Sequence, residues 1–411
     1  MSKLNKIFEI VSFYDNARWN SEENYNLINF YKEGLDDDTK LLTHWLCYIT
    51  DRQMGFERIF DIGGFVFSEL ISEYKKKPPI RELLNPSEYN SFVKKEFDKK
   101  ENKYKHFFIG TKLPNTKIIK NYPAEVKDAP VKFKPRFLPS DYLSILYTLH
   151  TLEKFDYSLS NYIAQAYKTF KDEEDLIQRV LFALYLLSYY EIGQPRYENI
   201  TEWETNIKNA ENRRDIICQY FEEPESKEDE FKTFQKNTRF HLKRAWCSLR
   251  DFLKSPKFSQ YFKNSMLKNK YLNEKELENL FGIEMLCQLE LPGDVWNNNP
   301  KFQKCIRDDE KFDNSKFNQF LREHYNSNES NLKYGKAYPE QFDITFDFVP
   351  RMCDKNNCDI CPIGCLSGEG KDFDKICLND TSKYCPVVLV GCGYKKICVG
   401  SEKCELLQIL K

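Results

Sequence analysis

The stretch LIQRVLFALYLLSYY, Leu176–Tyr190, decides the fold class. It is apolar on nearly every face, so a helix built from it has no side to show to water and must sit at the centre of a core. That prediction extends from Asp172 to Tyr190.

Helical signals continue on both sides of this element. Upstream, Ser140 is a plausible N-cap for YLSILYTLHTLEKF. Farther back, Leu42, Trp45, Leu46, Ile49, Phe56, Ile59 and Phe60 recur at three- and four-residue steps, the spacing of one helix face. Asp38 or Thr39 could cap the first helix and Gly55 could break it before a second, while Gly63-Gly64 allows a close helix crossing. Downstream, helices are expected at about 201–221, 228–254, 256–268, 273–288, 299–307 and 314–325. No sustained alternating run marks a strand. The fold class read from this pattern is mostly α, a multi-helix two-lobed body.

Eight prolines, Pro78, Pro79, Pro86, Pro114, Pro123, Pro130, Pro135 and Pro139, punctuate a Lys-rich stretch between the helical parts and exclude continuous helix there. The expected organisation is an N-terminal helical region at 1–75, a Pro/Lys-rich crossing segment at 76–139, a helical body at 140–345 and a cysteine-rich module at 346–411. A chain of 411 residues exceeds what one core usually serves, which agrees with two or three subdomains. With 41% hydrophobic and 30% charged residues, the composition is neither that of a disordered chain nor that of a membrane protein. No run of apolar residues is long enough to span a bilayer, and the N-terminus lacks a signal-peptide pattern. A cytoplasmic protein with reduced thiols is expected.

The net charge of −1 conceals an abrupt internal swing. Asp172–Glu230 holds 16 acidic and 6 basic residues, whereas Phe231–Lys270 holds 11 basic and 1 acidic. Either the two segments pair with each other, or one face is prepared for an anionic partner. On RFHLKRAWCSLRDFLKSPKF, the residues Arg239, Lys243, Arg244 and Arg250 are the candidate phosphate contacts beside Trp246. Nucleic acid is the expected partner, DNA ahead of RNA. An amphipathic helix docking on the acidic segment is the competing reading of the same residues.

Catalytic motifs are sparse. The five His, His44, His106, His150, His241 and His324, show no metal-ligand spacing, and HExxH, GxSxG, GxGxxG and GxxxxGK are all missing. Asp51, Arg52, Arg58 and Asp61 lie among apolar residues and are expected to pair internally. Asp294, after Pro292-Gly293 at the start of a short helix, reads as an N-cap or as a catalytic carboxylate.

Nine of the 14 cysteines fall near the C-terminus: Cys353, Cys358, Cys361, Cys365, Cys377, Cys385, Cys392, Cys398 and Cys404. No His lies among them, so any metal there would be held by thiolate alone, which favours an iron-sulfur cluster or zinc. A 4Fe-4S cluster is expected, with zinc as the alternative.

With Leu291-Pro292-Gly293-Asp294-Val295 followed by Cys385, Cys392, Cys398 and Cys404, the last part of the chain resembles the helix-hairpin-helix DNA glycosylases of the endonuclease III and MutY type. That resemblance implies a catalytic role for Asp294 in cleaving the N-glycosidic bond of a flipped base, and a cluster held by the four cysteines. It departs from the family in the hairpin, reduced here to Leu280-Phe281-Gly282-Ile283, and in the lack of a lyase Lys. The reading set beside it is a non-catalytic nucleic-acid-binding or assembly protein with a structural metal module.

Overall fold

The computed structural model describes residues 34–50, 139–188, 203–236, 240–289 and 314–327, with isolated positions at 7–9, 11, 12, 15, 67, 68, 71 and 341. Every regular element among these described residues is helical, with no sheet among them. The longer helices are α1 (Asp37–Thr50), α2 (Pro139–Leu152), α3 (Leu159–Phe170), α4 (Leu176–Leu187), α5 (Trp203–Glu222), α6 (Glu228–Lys236), α7 (Phe240–Lys254) and α8 (Pro256–Lys268). They are followed by α9 (Glu274–Leu280), α10 (Ile283–Cys287) and α11 (Asn314–Ser327).

Helix α4 lies within the expected helix Asp172–Tyr190 but begins only at Leu176, after a turn at Asp172–Asp175, and every residue of it except Gln178 is buried. It packs against α3, α5, α6 and α7. Burying both ends of a helix leaves backbone groups that need partners, and neighbouring segments supply them. Gln288, just after α10, accepts the Ile177 N–H at 3.1 Å through Oε1, and Gln178 Nε2 donates to the Gln288 carbonyl at 2.6 Å. At the other end, Thr148 Oγ1 of α2 donates to the Leu187 carbonyl at 3.2 Å and Arg213 Nε of α5 to that of Leu186 at 3.2 Å. Each large apolar side chain withdrawn from water here contributes about 1.5 to 3 kcal/mol, so α4 alone accounts for a large part of the core.

A second layer forms where α1, α7 and α8 pack on one another, with α3 touching both α1 and α8. Trp45 and Trp246 are fully buried within it. Gly34, at φ 83°, turns the chain into α1, and Asp36 caps that helix, its carboxylate accepting from Thr39 N at 2.8 Å and from Thr39 Oγ1 at 2.7 Å. The cap is thus Asp36 rather than Asp38 or Thr39. Pro139 opens α2, so Ser140 lies inside that helix and does not cap it.

The expected fold class needs one correction. A cysteine-rich metal-binding module was part of it, yet the nine cysteines from Cys353 to Cys404 lie outside the described residues. Among the described residues no group of three or more His, Cys, Asp or Glu could hold a metal ion. The four cysteines described, Cys47, Cys218, Cys247 and Cys287, are free thiols on four different helices. Sequence spacing brings sulfurs near each other along the chain, but a metal requires ligands that converge in space, and the four described thiols stand on separate helices. What the described residues form is a helix-packed domain.

Candidate nucleic-acid interface

Helix α7 carries Lys243, Arg244 and Arg250 of the four basic residues expected to meet phosphate, and every residue from Arg244 to Leu253 on it is buried. Helix α7 is enclosed by α1, α4 and α8, so its charges had to find partners inside. Arg244, 6% exposed, donates from Nη1 to the Ile49 carbonyl at 2.7 Å. That carbonyl belongs to the last turn of α1, where a cation both satisfies an orphan acceptor and complements the helix dipole.

Arg250 turns to its own neighbour. Its Nε and Nη2 lie 3.1 and 3.0 Å from Asp251 Oδ1, and its guanidinium stands 5.0 Å from the centre of the Trp246 ring. The other oxygen, Asp251 Oδ2, accepts from Tyr48 Oη at 2.6 Å and meets His44 Nε2 at 3.0 Å. His44 in turn lies against Phe258 of α8, ring centres 3.8 Å apart, and edge-on to Tyr48 at 4.9 Å. Burial pushes the His44 pKa down against the opposing pull of Asp251, so the ring is neutral and donates through Nε2. Burial likewise raises Tyr48, with Asp251 adding to the effect, so its hydroxyl stays protonated.

A His–Asp pair is the beginning of a general-base arrangement, but this one is closed. His44, Tyr48, Arg250 and Asp251 are at most 3% exposed, and both carboxylate oxygens are already engaged by protein donors. The cluster ties α1 to α7 beneath α8. Its members were not singled out together from the sequence; the available signal was Arg250-Asp251 set between Leu249 and Phe252, an ion pair within an apolar run.

The remaining expected site residues fare as follows. Arg239 and Asp294 lie outside the described residues, as do Cys353, Cys358, Cys361, Cys365, Cys377, Cys385, Cys392, Cys398 and Cys404; Lys243 falls on α7, but its side chain is not among those described. Arg244 and Arg250 are core residues, and their guanidinium groups donate to backbone and carboxylate within the protein. The 4Fe-4S cluster and its zinc alternative have no ligand set among the described residues, and both are dropped.

An exposed basic face does exist, one helix farther on. From Ser255 to Asn273 the chain has four lysines and no carboxylate. Lys257, Gln260, Asn264, Leu267, Lys268 and Lys270 are all exposed, and Leu267, at 41%, is the one large hydrophobic side chain exposed among the described residues. Ser255 caps α8 through Phe258 N, with Pro256 in the first turn. At the other end the chain closes in a Schellman turn: Tyr271 N donates to the Met266 carbonyl at 2.9 Å and Lys270 N to that of Leu267 at 3.1 Å. The turn requires a left-handed residue, and Lys270 occupies it at φ 56°. Along the middle of the face Gln260 Nε2 donates to Asn264 Oδ1 at 2.7 Å, and Asn264 Nδ2 to Asp37 Oδ2 at 3.0 Å. Asp37 also holds Lys40 at 3.0 Å, and Lys40 lies 4.2 Å over the Tyr261 ring.

No protein-family model, curated protein or solved structure matches this chain. The resemblance to helix-hairpin-helix glycosylases accordingly gains no relative to support it, its Asp294 and cysteine loop lie outside the described residues, and no metal-binding group is found among those described. That assignment is set aside.

Proposed function

We propose that this is a non-catalytic nucleic-acid-binding protein that meets phosphate through the exposed face of α8. The observation that carries the reading is where Lys257 and Lys270 sit. Lys257 lies in the first turn of α8, where the positive end of the helix dipole disfavours a cation. Lys270 occupies a left-handed position that glycine fills without strain and other residues fill at a cost of about 1 kcal/mol. Both positions work against the fold's own stability, and strained or unfavourable residues concentrate where a protein uses them. Lys268, in the last turn, is favoured by the dipole and needs no such explanation, but its charge adds to the same face.

The closed polar cluster on α7 supports the non-catalytic part, because its titratable groups are spent on one another. The experiment measures duplex DNA binding by the full chain beside its Lys257→Glu and Lys270→Gly variants, together with denaturant stability. Each substitution should weaken binding while leaving the fold as stable or more stable. If affinity is unchanged in both, α8 is not the binding face.

A further inference from the structure

Resting on that reading of α8, we infer that the face binds the phosphodiester backbone of a duplex without reading its sequence. Bases are read by side chains that present paired donors and acceptors or flat rings: Asn, Gln and Arg in the grooves, and aromatic residues against unstacked bases. Helix α8 has candidates of the first and last kind, and all are engaged within the protein. Gln260 donates to Asn264, and Asn264 donates to Asp37. The Tyr261 ring is covered by Lys40. Lys263 is turned over the Phe281 ring, 4.3 Å from its centre. No arginine occurs between Ser255 and Asn273.

What the face has left to offer is the ammonium groups of Lys257, Lys268 and Lys270, which no ion pair among the described residues takes up. An ammonium is a hydrated point charge with rotatable donors, able to meet a phosphate but lacking the fixed fork that recognises a base edge. Lys257 and Lys268 are eleven positions apart, which returns them to the same side of the helix at about 16 Å along its axis. A recognition surface made of point charges follows phosphate density, and that density is highest on a duplex. Leu267 is a single exposed apolar side chain beside them, too isolated to serve as a stacking platform.

The test is fluorescence anisotropy with the full chain and four titrants: an AT-rich duplex, a GC-rich duplex, single-stranded oligo-dT of the same length, and phosphatidylserine vesicles. Both duplexes should bind with affinities within about twofold of each other and more tightly than oligo-dT. The combined Lys257→Glu, Lys268→Glu and Lys270→Glu variant should lose about three units of salt slope on duplex, near one per phosphate contact. Combined Gln260→Ala and Asn264→Ala should leave both duplex affinities unchanged. A tenfold preference between the duplexes, or tighter binding of oligo-dT, would overturn sequence-independent duplex recognition while leaving nucleic-acid binding intact. Binding to neither nucleic acid, whether or not the vesicles bind, overturns the function proposed above and this inference with it.

Discussion

His44 on α1 and Asp251 on α7 meet at 3.0 Å, Nε2 to Oδ2, across 207 positions of sequence. Around that contact the carboxylate also receives Tyr48 on one oxygen and Arg250 on the other. A charge this deep is tolerated only while its partners remain in place, so the cluster makes the α1–α7 junction an all-or-none feature of the core.

Asp251→Asn should therefore destabilise the protein by about 3 to 5 kcal/mol, because the buried carboxylate charge that Arg250, His44 and Tyr48 converge on is removed. Guanidinium denaturation of wild type and variant measures this. Adding Arg250→Met to Asp251→Asn should recover part of the loss, since the buried cation that faced the carboxylate is then gone as well. A double variant as unstable as the sum of the two single ones would show that the pair acts by packing alone.

The same cluster sets an acid limit. Burial holds the His44 pKa below its ordinary 6.5, so in the folded state the ring stays neutral while the unfolded chain takes up a proton as pH falls through 6.5. Over that window the unfolded state binds more protons, and stability falls with pH until the folded pKa is reached. Denaturation midpoints at a series of pH values below neutrality should show this decline. His44→Gln, which keeps an N–H toward Asp251 but cannot titrate, should flatten it; an identical slope in the variant would assign the decline to other groups.

Arg179 of α4 should anchor α6. Its guanidinium reaches Asp175 at 2.8 Å, Glu228 at 3.1 Å and Glu173 at 3.9 Å, and stands 4.5 Å over the Phe231 ring. Its carboxylate partners are a third to a half exposed, so solvent screens part of each attraction. Arg179→Met is expected to cost about 2 kcal/mol, with loss of the cation–π contact included, and high salt should narrow the gap to wild type. A salt-independent difference would place the effect in side-chain packing instead.

Legibility in the sequence followed the physics of each element. Pro256–Lys268 was readable to the residue because a proline opens it after a serine cap. Leu176–Leu187 was readable because all of it but Gln178 and Arg179 is apolar. Helix α3 went unseen, and the reason lies just before it: Asp156 and Tyr157 take left-handed conformations at φ 56° and 55°, making a turn with no glycine or proline to announce it. The expected helix at 273–288 is two, α9 and α10, broken at Phe281-Gly282. Charge on α7 misled more seriously. Arg244 and Arg250 look like surface residues in composition, and the enclosure of α7 by three other helices turns them inward; the one local sign of it is Arg250-Asp251 set between Leu249 and Phe252.

Three consecutive aspartates show the same limit and supply one more test. Asp36 caps α1, Asp37 holds Lys40, and Asp38, 6% exposed, reaches across to α3 and α8. Asp38 Oδ1 accepts the Ser160 N–H at 3.0 Å and stands 3.4 Å from Ser265 Oγ. Ser160 is in the first turn of α3, so the carboxylate satisfies an orphan donor of that helix and faces the positive end of its dipole. Asp38→Asn retains an acceptor oxygen and removes only the charge, and should cost less than about 1 kcal/mol. Asp38→Ala removes the acceptor as well and leaves the Ser160 N–H buried and unmet, for a loss of about 2 kcal/mol. Denaturant unfolding of both variants separates the two contributions. Equal losses would mean that charge at the α3 terminus, not the hydrogen bond, is what joins α1 to α3.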